Sequence, residues 1–279
     1  NSDSKVAIES CNPGIIAIGD DWAARDYYSQ MNFTQEWLDE KDIVLLYLPY
    51  TRGISTSEIK NRVREHFRVK TDIIISVCSD SIPREVAEAQ LLVFEKFGET
   101  ITQIKPEAIG SNPAAGLGHM HAHTLDLYLK NNEWDSVIIV DIDCIPLNKN
   151  VIKEAREWVV NNIGLYSVAG NHNDIPGTPD YAFPAFIAFS RETYELLGEP
   201  SFHPTDRCDT GGELTHSALD NNIPVKLMYP SNVDVPKWKF KDGSMFGNGT
   251  TYEDKIYHQF QIDSNIQNFL NKCDSVLKE

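Results

Sequence analysis

Residues 137–147 read Val-Ile-Ile-Val-Asp-Ile-Asp-Cys-Ile-Pro-Leu. An apolar, β-preferring run enters two carboxylates separated by one residue, Asp141 and Asp143. Such a run, bounded by turn residues, reads as a buried strand of a parallel sheet. Ligands of open α/β sheets bind outside the carboxyl ends of strands, where both aspartates fall. Side chains alternate along a strand, so the two carboxylates face one side. They repel each other unless a cation lies between them, and a hard divalent ion with oxygen ligands suits that place. The competing reading is a polar strand end that faces solvent or caps the next segment.

Other residues carry potential chemistry. His119, His121 and His123 open a helical segment, with Asp126 beyond. Positions 119, 123 and 126 share one helix face, a geometry able to bind zinc. The alternative is a partly exposed helix start. No Glu sits between His119 and His123 in His-Glu-x-x-His fashion, which removes a metalloprotease reading. Residues 237–241, Lys-Trp-Lys-Phe-Lys, form a basic cluster in an acidic chain. Alternation puts Lys237, Lys239 and Lys241 on one face and Trp238 and Phe240 on the other. Glycines at 247 and 249 follow. One reading is a mobile lid over residues 240–257 that offers a lysine to an anion and Trp238 as a stacking face; the other is a solvated edge strand. Asp206 and Asp209 flank Arg207 and Cys208 ahead of Gly211-Gly212, an acidic turn that supplies either a general base or a helix cap. His172, Asn173 and Asp174 make a polar loop after a strand. Ser79, Asp80 and Ser81 end another strand.

The elements that must position these residues alternate in type. Strands are expected at 14–19, 42–48, 72–78, 101–104, 165–169, 182–191 and 224–229. Helices are expected at 23–38, 55–67, 86–97, 118–130, 151–160 and 191–197, and the chain from 235 onward reads as loop-rich. Alternation of this kind implies a mainly parallel sheet covered on both faces.

In order and spacing, these features resemble glycosyltransferases of the GT-A fold. Asp141-Ile142-Asp143 is similar to that family's Asp-x-Asp motif. Residues 182–191, Ala-Phe-Pro-Ala-Phe-Ile-Ala-Phe-Ser-Arg, resemble its acceptor-side strand. Residues 208–214, Cys-Asp-Thr-Gly-Gly-Glu-Leu, form an acidic turn entering a helix, and Tyr257-His258-Gln259-Phe260 resembles the late histidine that completes the metal site. The likeness covers residues 70–262, roughly. It implies an α/β, GT-A-like, mostly parallel sheet flanked by helices over 71–262, an N-terminal βα extension over 1–70 and a helical tail over 263–279.

The implied activity is hexosyl or pentosyl transfer from a nucleotide sugar to a carbohydrate or glycoconjugate acceptor, with Mn²⁺ or Mg²⁺. Asp143 and His258 would hold the metal, and Asp141 would contact it through water or bind the ribose. Asp80, His119 and His123 would reach the nucleoside, and Lys237 and Lys239 the diphosphate. Asp209, or Asp206 beside it, would be the base on the acceptor side. Two other classes stay open: a metal-dependent nucleotidyltransferase, and a non-catalytic carbohydrate-binding domain on the same scaffold. The first usually carries a Gly-rich loop after its first strand, and residues 79–83, Ser-Asp-Ser-Ile-Pro, contain none.

Composition narrows the partners. A chain of 279 residues with 41% hydrophobic content can bury a sizeable core. Its net charge of −16 repels nucleic acid and anionic membranes, and no apolar run is long enough to span a bilayer. Five scattered cysteines, at 11, 78, 144, 208 and 273, read as reduced thiols and imply a cytoplasmic setting. The chain begins at Asn1, which leaves room for a removed upstream anchor. In that case the secretory lumen is the alternative, with sequons at Asn32 and Asn248.

Overall fold

The structure, a computed structural model, describes residues 4–19, 27–48, 71–106, 117–172, 175 and 177–279. Contacts divide the chain into two units, Asn1–Val69 and Lys70–Glu279. The helix expected over 55–67 lies outside the described residues.

In the first unit, α1 (Ser4–Cys11) precedes β1 (Ile15–Gly19), α2 (Tyr27–Met31), α3 (Gln35–Glu40) and β2 (Val44–Leu48). The single helix expected over 23–38 is broken after α2. Asn32 takes a left-handed conformation, and Thr34 starts a new helix by accepting the Trp37 backbone N–H at 3.3 Å. β1 and β2 pair in parallel, and Tyr27, Phe33, Leu38 and Ile43 form a small core.

The second unit holds a six-stranded sheet in the order β4-β3-β5-β8-β7-β9. Its strands are β3 (Asp72–Val77), β4 (Thr102–Ile104), β5 (Ser136–Val140), β7 (Leu165–Gly170), β8 (Tyr181–Ser190) and β9 (Val225–Met228). Helices α4 (Arg84–Lys96), α5 (Leu117–Asn131), α6 (Asn150–Asn162), α7 (Arg191–Leu196) and α8 (Gly212–Asp220) lie between them in the chain. β5 and β7 are buried at every position, as their apolar composition requires. Separate apolar clusters lie on the two faces of β5. Ile138 and Val140 join Val151, Ile152 and Ala155 of α6 on one, while Val137 and Ile139 join Leu125 and Leu129 of α5 on the other.

The architecture is mixed α/β, and the six-stranded sheet is mostly parallel as expected, with β8 the one strand that departs from it. β3 is parallel to β4 and β5, and β7 to β9, but β8 runs antiparallel to both β5 and β7. Only ten residues separate Gly170 from Tyr181, too short a connection for a helical crossover, so the chain turns back as a hairpin.

The reading of residues beyond 235 as loop is overturned. β10 (Pro230–Lys239), β11 (Met245–Tyr252), β12 (Ile256–His258) and the short β6 (Cys144–Pro146) form a second, wholly antiparallel sheet in the order β10-β11-β12-β6. Its strands contain Pro, Lys and Gly and lack an apolar run. They are held by cross-strand aromatic contact, with the Trp238 and Phe246 rings 5.4 Å apart. Last comes α9 (Ile266–Lys278), which buries Phe269, Cys273 and Val276 in a cluster with Val86 and Val93 of α4. Of the five free cysteines, Cys11 is exposed and the other four are buried.

Candidate active site

β5 stops at Val140, and the chain makes a tight turn in which Cys144 N–H donates to the Asp141 carbonyl at 3.0 Å. The two aspartates converge because of this turn, not because of strand alternation. Asp141 follows the strand end and Asp143 precedes β6. The turn is clamped from behind: buried Gln90 of α4 donates through Nε2 to the carbonyls of Asp141 (2.7 Å) and Cys144 (3.1 Å). Gln103 of β4 in turn donates to Gln90 Oε1 at 3.1 Å. Neither glutamine was identified from the sequence. Only the folded turn, with two carbonyls in need of donors, gives them a role.

Antiparallel pairing of β12 with β6 sets His258 opposite Cys144. His258 Nε2 lies 3.2 Å from Asp143 Oδ1 and 3.7 Å from Asp141 Oδ2. The ligand atoms of Asp141, Asp143 and His258 all fall within 4.8 Å of one another. Asp143 and His258 are buried, and Asp141 keeps 21% of its side chain exposed. Burial raises the Asp141 carboxyl pKa, and Asp143 adds to the rise against the pull of His121 and His258. Two carboxylate oxygens and one imidazole nitrogen at this spacing fit a hard or borderline divalent ion, whose charge would offset the cost of burying both acids.

The second histidine at this place is His121, whose Nε2 lies 3.7 Å from Asp141 Oδ1 and has no hydrogen-bond partner among the described residues. His119 and His123, expected at the nucleoside, sit on the opposite face of α5 beside His203. Two residues along a helix are about 200° apart, so choosing the face of 119 and 123 set His121 aside. A cleft of about 350 Å³ opens here, lined by Ser79, Ser81, His121, Asp141, Asp143 and Asp263 among others. Asp80 does not line it. Its carboxylate is exposed and pairs with Lys105.

A second cavity, of about 510 Å³, is lined by Phe183 and Phe260, whose rings both contact His258. The His258 ring packs at a tilt against Phe260, with centroids 3.8 Å apart, and meets Phe183 at 5.7 Å. Tyr181, Trp238 and Phe246 add aromatic surface, and His172, Cys208 and Asp209 supply polar groups. His172 Nδ1 accepts the Asp209 backbone N–H at 3.0 Å, and its ring stacks on Tyr181 at 3.8 Å. Burial lowers the His172 pKa, which favours the neutral ring with its proton on Nε2. Gly212 lets α8 begin against that ring, since a Cβ there would sit 2.8 Å from His172 Cε1.

Asp209 Oδ1 accepts the Thr210 N–H at 2.7 Å, while the N-cap of α8 is Gly211, so Asp209 does not cap that helix. Asp206 is exposed and does not line the cavity, and Asn173 and Asp174 lie outside the described residues.

The lid reading of residues 240–257 fails. The segment contains β11 and β12, and a Cβ on Gly247 would run into the Val235 carbonyl oxygen, so that glycine serves close strand approach. Lys237 and Lys239 are exposed on β10, with Lys237 Nζ 4.6 Å from the Trp238 ring centroid, and neither lines the acidic cleft.

No protein-family model matches this chain, and no curated protein does. Among solved structures it is similar to a Drosophila beta-1,4-galactosyltransferase 7 mutant in complex with manganese, UDP-Gal and xylobiose, at 13% identity over 69% of this chain and 73% of that one, TM-score 0.36. It is similar to a Bacillus anthracis protein assigned as a glucose-1-phosphate thymidylyltransferase, at 11% identity over 58% and 87%, TM-score 0.33. A third is a glycosyltransferase involved in glycosylation of the major capsid of PBCV-1, at 12% identity over 56% and 80%, TM-score 0.31. At these scores the likeness carries no functional argument, and what the site can do rests on its own geometry.

Proposed function

We propose that this chain transfers a sugar from a nucleotide-diphosphate sugar to a carbohydrate or glycoconjugate acceptor, with Mn²⁺ or Mg²⁺ on the diphosphate. The observation that carries this reading is the set Asp141, Asp143 and His258, with ligand atoms within 4.8 Å of one another at the carboxyl end of β5. The ion, when bound, supplies a Lewis acid that offsets charge on the departing diphosphate. The chain's own residues do the rest. Ser79, Ser81 and His121 shape the cleft for the nucleotide. Asp209, held through its backbone by His172, takes the proton of the acceptor hydroxyl. Phe183, Trp238, Phe246 and Phe260 offer apolar faces to a sugar ring.

The aromatic cavity favours sugar transfer over nucleotidyl transfer, since a second phosphate-bearing substrate would find no Lys or Arg among the described residues that line it. A panel of nucleotide sugars, read by thermal shift and donor hydrolysis with and without Mn²⁺, tests the reading. A metal-dependent shift with one donor is expected. Equal turnover in excess chelator would overturn it.

A further inference from the structure

His119 and His123 stand one turn apart on α5 and face the loop that precedes α8. His119 Nδ1 and His203 Nδ1 are 3.4 Å apart. The His123 ring lies 6.0 Å, centroid to centroid, from that of His203. A tetrahedral zinc ion with Zn–N bonds of about 2.0–2.1 Å spaces its ligand nitrogens by about 3.3–3.4 Å. His119 and His203 thus already hold the separation of two ligands on one ion, while His123, its ring centroid 6.0 Å from that of His203, would have to turn to become the third.

The loop that presents His203 is fixed from the same helix. Asp126 accepts Ser201 Oγ–H at 2.5 Å and Phe202 N–H at 2.9 Å, and Ser201 Oγ accepts His203 N–H at 3.1 Å. Phe202 is fully buried and anchors the loop in the core. Asp126, on the 119 and 123 face, is therefore engaged in positioning the loop and is no ligand itself.

We propose that His119, His123 and His203 form a second metal site, for Zn²⁺ or a similar transition ion, that staples the start of α5 to the loop before α8. The donor set is imidazole alone, which suits zinc, copper, nickel or cobalt and discriminates against Mg²⁺ and Ca²⁺. The site is thus of a different class from the carboxylate-rich set at Asp141. All three rings are at least partly exposed, so the ion enters from solvent and the fourth position stays open to water. Because α5 also carries His121 against Asp141, occupancy of the staple fixes the helix that lines the acidic cleft.

The test is a Co²⁺ titration of the metal-stripped full chain, followed by its visible d–d absorption, in wild type, His203→Ala, His119→Ala and His258→Ala. One equivalent of tetrahedral Co²⁺, displaced by Zn²⁺, is expected. It should survive His258→Ala and weaken by more than about tenfold in either of the other two variants. Asp126→Asn should weaken it less, through the loop. Circular dichroism verifies the fold of each variant, including His258→Ala, whose ring is buried. A band lost in His258→Ala and retained in His203→Ala, or no stoichiometric band in wild type, overturns the proposal. Neither outcome depends on whether the chain transfers sugars.

Discussion

The acidic cleft and the aromatic cavity are built by different means. The carboxylate pair of the acidic cleft depends on one strand end and one turn. β5 delivers Asp141, the turn delivers Asp143, and Gln90 holds the backbone between them. The aromatic cavity gathers residues from β7, β8, the loop before α8, β10 and β11. The carboxylate pair is therefore set by local sequence, whereas His121 and His258 of the cleft arrive, like the aromatic cavity, by assembly. Charge is expensive to bury, so it is placed by short, well-bonded backbone, whereas aromatic surface tolerates small displacements.

The largest expected effect breaks the acidic side. Asp143→Ala should abolish the metal-dependent thermal shift and cut turnover by about 10³-fold or more, because the charge stabilisation lost is several kcal/mol. Retention of both would remove the metal from the site. On the aromatic side, Asp209→Asn should lower transfer by roughly 10²–10⁴-fold, the range of general-base loss, while the metal and donor shifts stay as in wild type. If donor binding fell in step, the two cavities would not divide donor from acceptor.

A smaller effect, of opposite sign, sharpens the contrast. Burial disfavours the charged form of Asp141, so Asp141→Asn should stabilise the metal-free protein by about 1 kcal/mol while removing the gain that metal confers. A lower melting temperature in the metal-free variant would show that Asp141 is already compensated by its two histidines.

Smallest is Glu213, which supports the aromatic cavity's rim. Arg207, followed by Thr205 and Cys208, holds its carboxyl at about 2, below the ordinary 4.5. A depressed carboxyl contributes stability that is present above the unfolded value and lost as pH falls through the folded one. Glu213→Gln should therefore cost below about 1 kcal/mol at neutral pH, since Arg207 is half exposed and screened. The cost should shrink between pH 4.5 and 2. A pH-independent difference would assign it to packing.

The sequence disclosed what local pattern controls. The buried run before Asp141 could only be a central strand, and the helices at 118–130 and 191–197 fall where periodicity places them, as α5 and α7. What it concealed depends on partners distant in the chain. Residues 230–258 have no apolar run, because their strands are stabilised by rings meeting across β10 and β11 and by β12 closing on β6. His121 was passed over for its neighbours because helix periodicity groups residues by face without saying which face meets the strand end. Gln90 carries no signal at all until the two carbonyls it serves come together. Glycines 247 and 249 read as hinges in isolation, yet Gly247 serves close strand contact and Gly249 a left-handed turn beside Asp234.

The uneven burial of the five thiols has a practical consequence. In the folded chain a maleimide meets Cys11, while Cys78, Cys144, Cys208 and Cys273 are shielded. Burial also pushes the Cys144 thiol up and takes Cys273 to about 12, so the reactive thiolate is scarce as well as hidden. Slow alkylation at the interior positions then counts openings of the Lys70–Glu279 unit, against an internal standard at Cys11. Cys144 adjoins Asp143, so any ligand that seats beside that carboxylate in the closed state slows labelling by one plus the ratio of its concentration to its Kd. The protein thus carries its own mass-spectrometric assay for ligands, and it needs no knowledge of donor or acceptor.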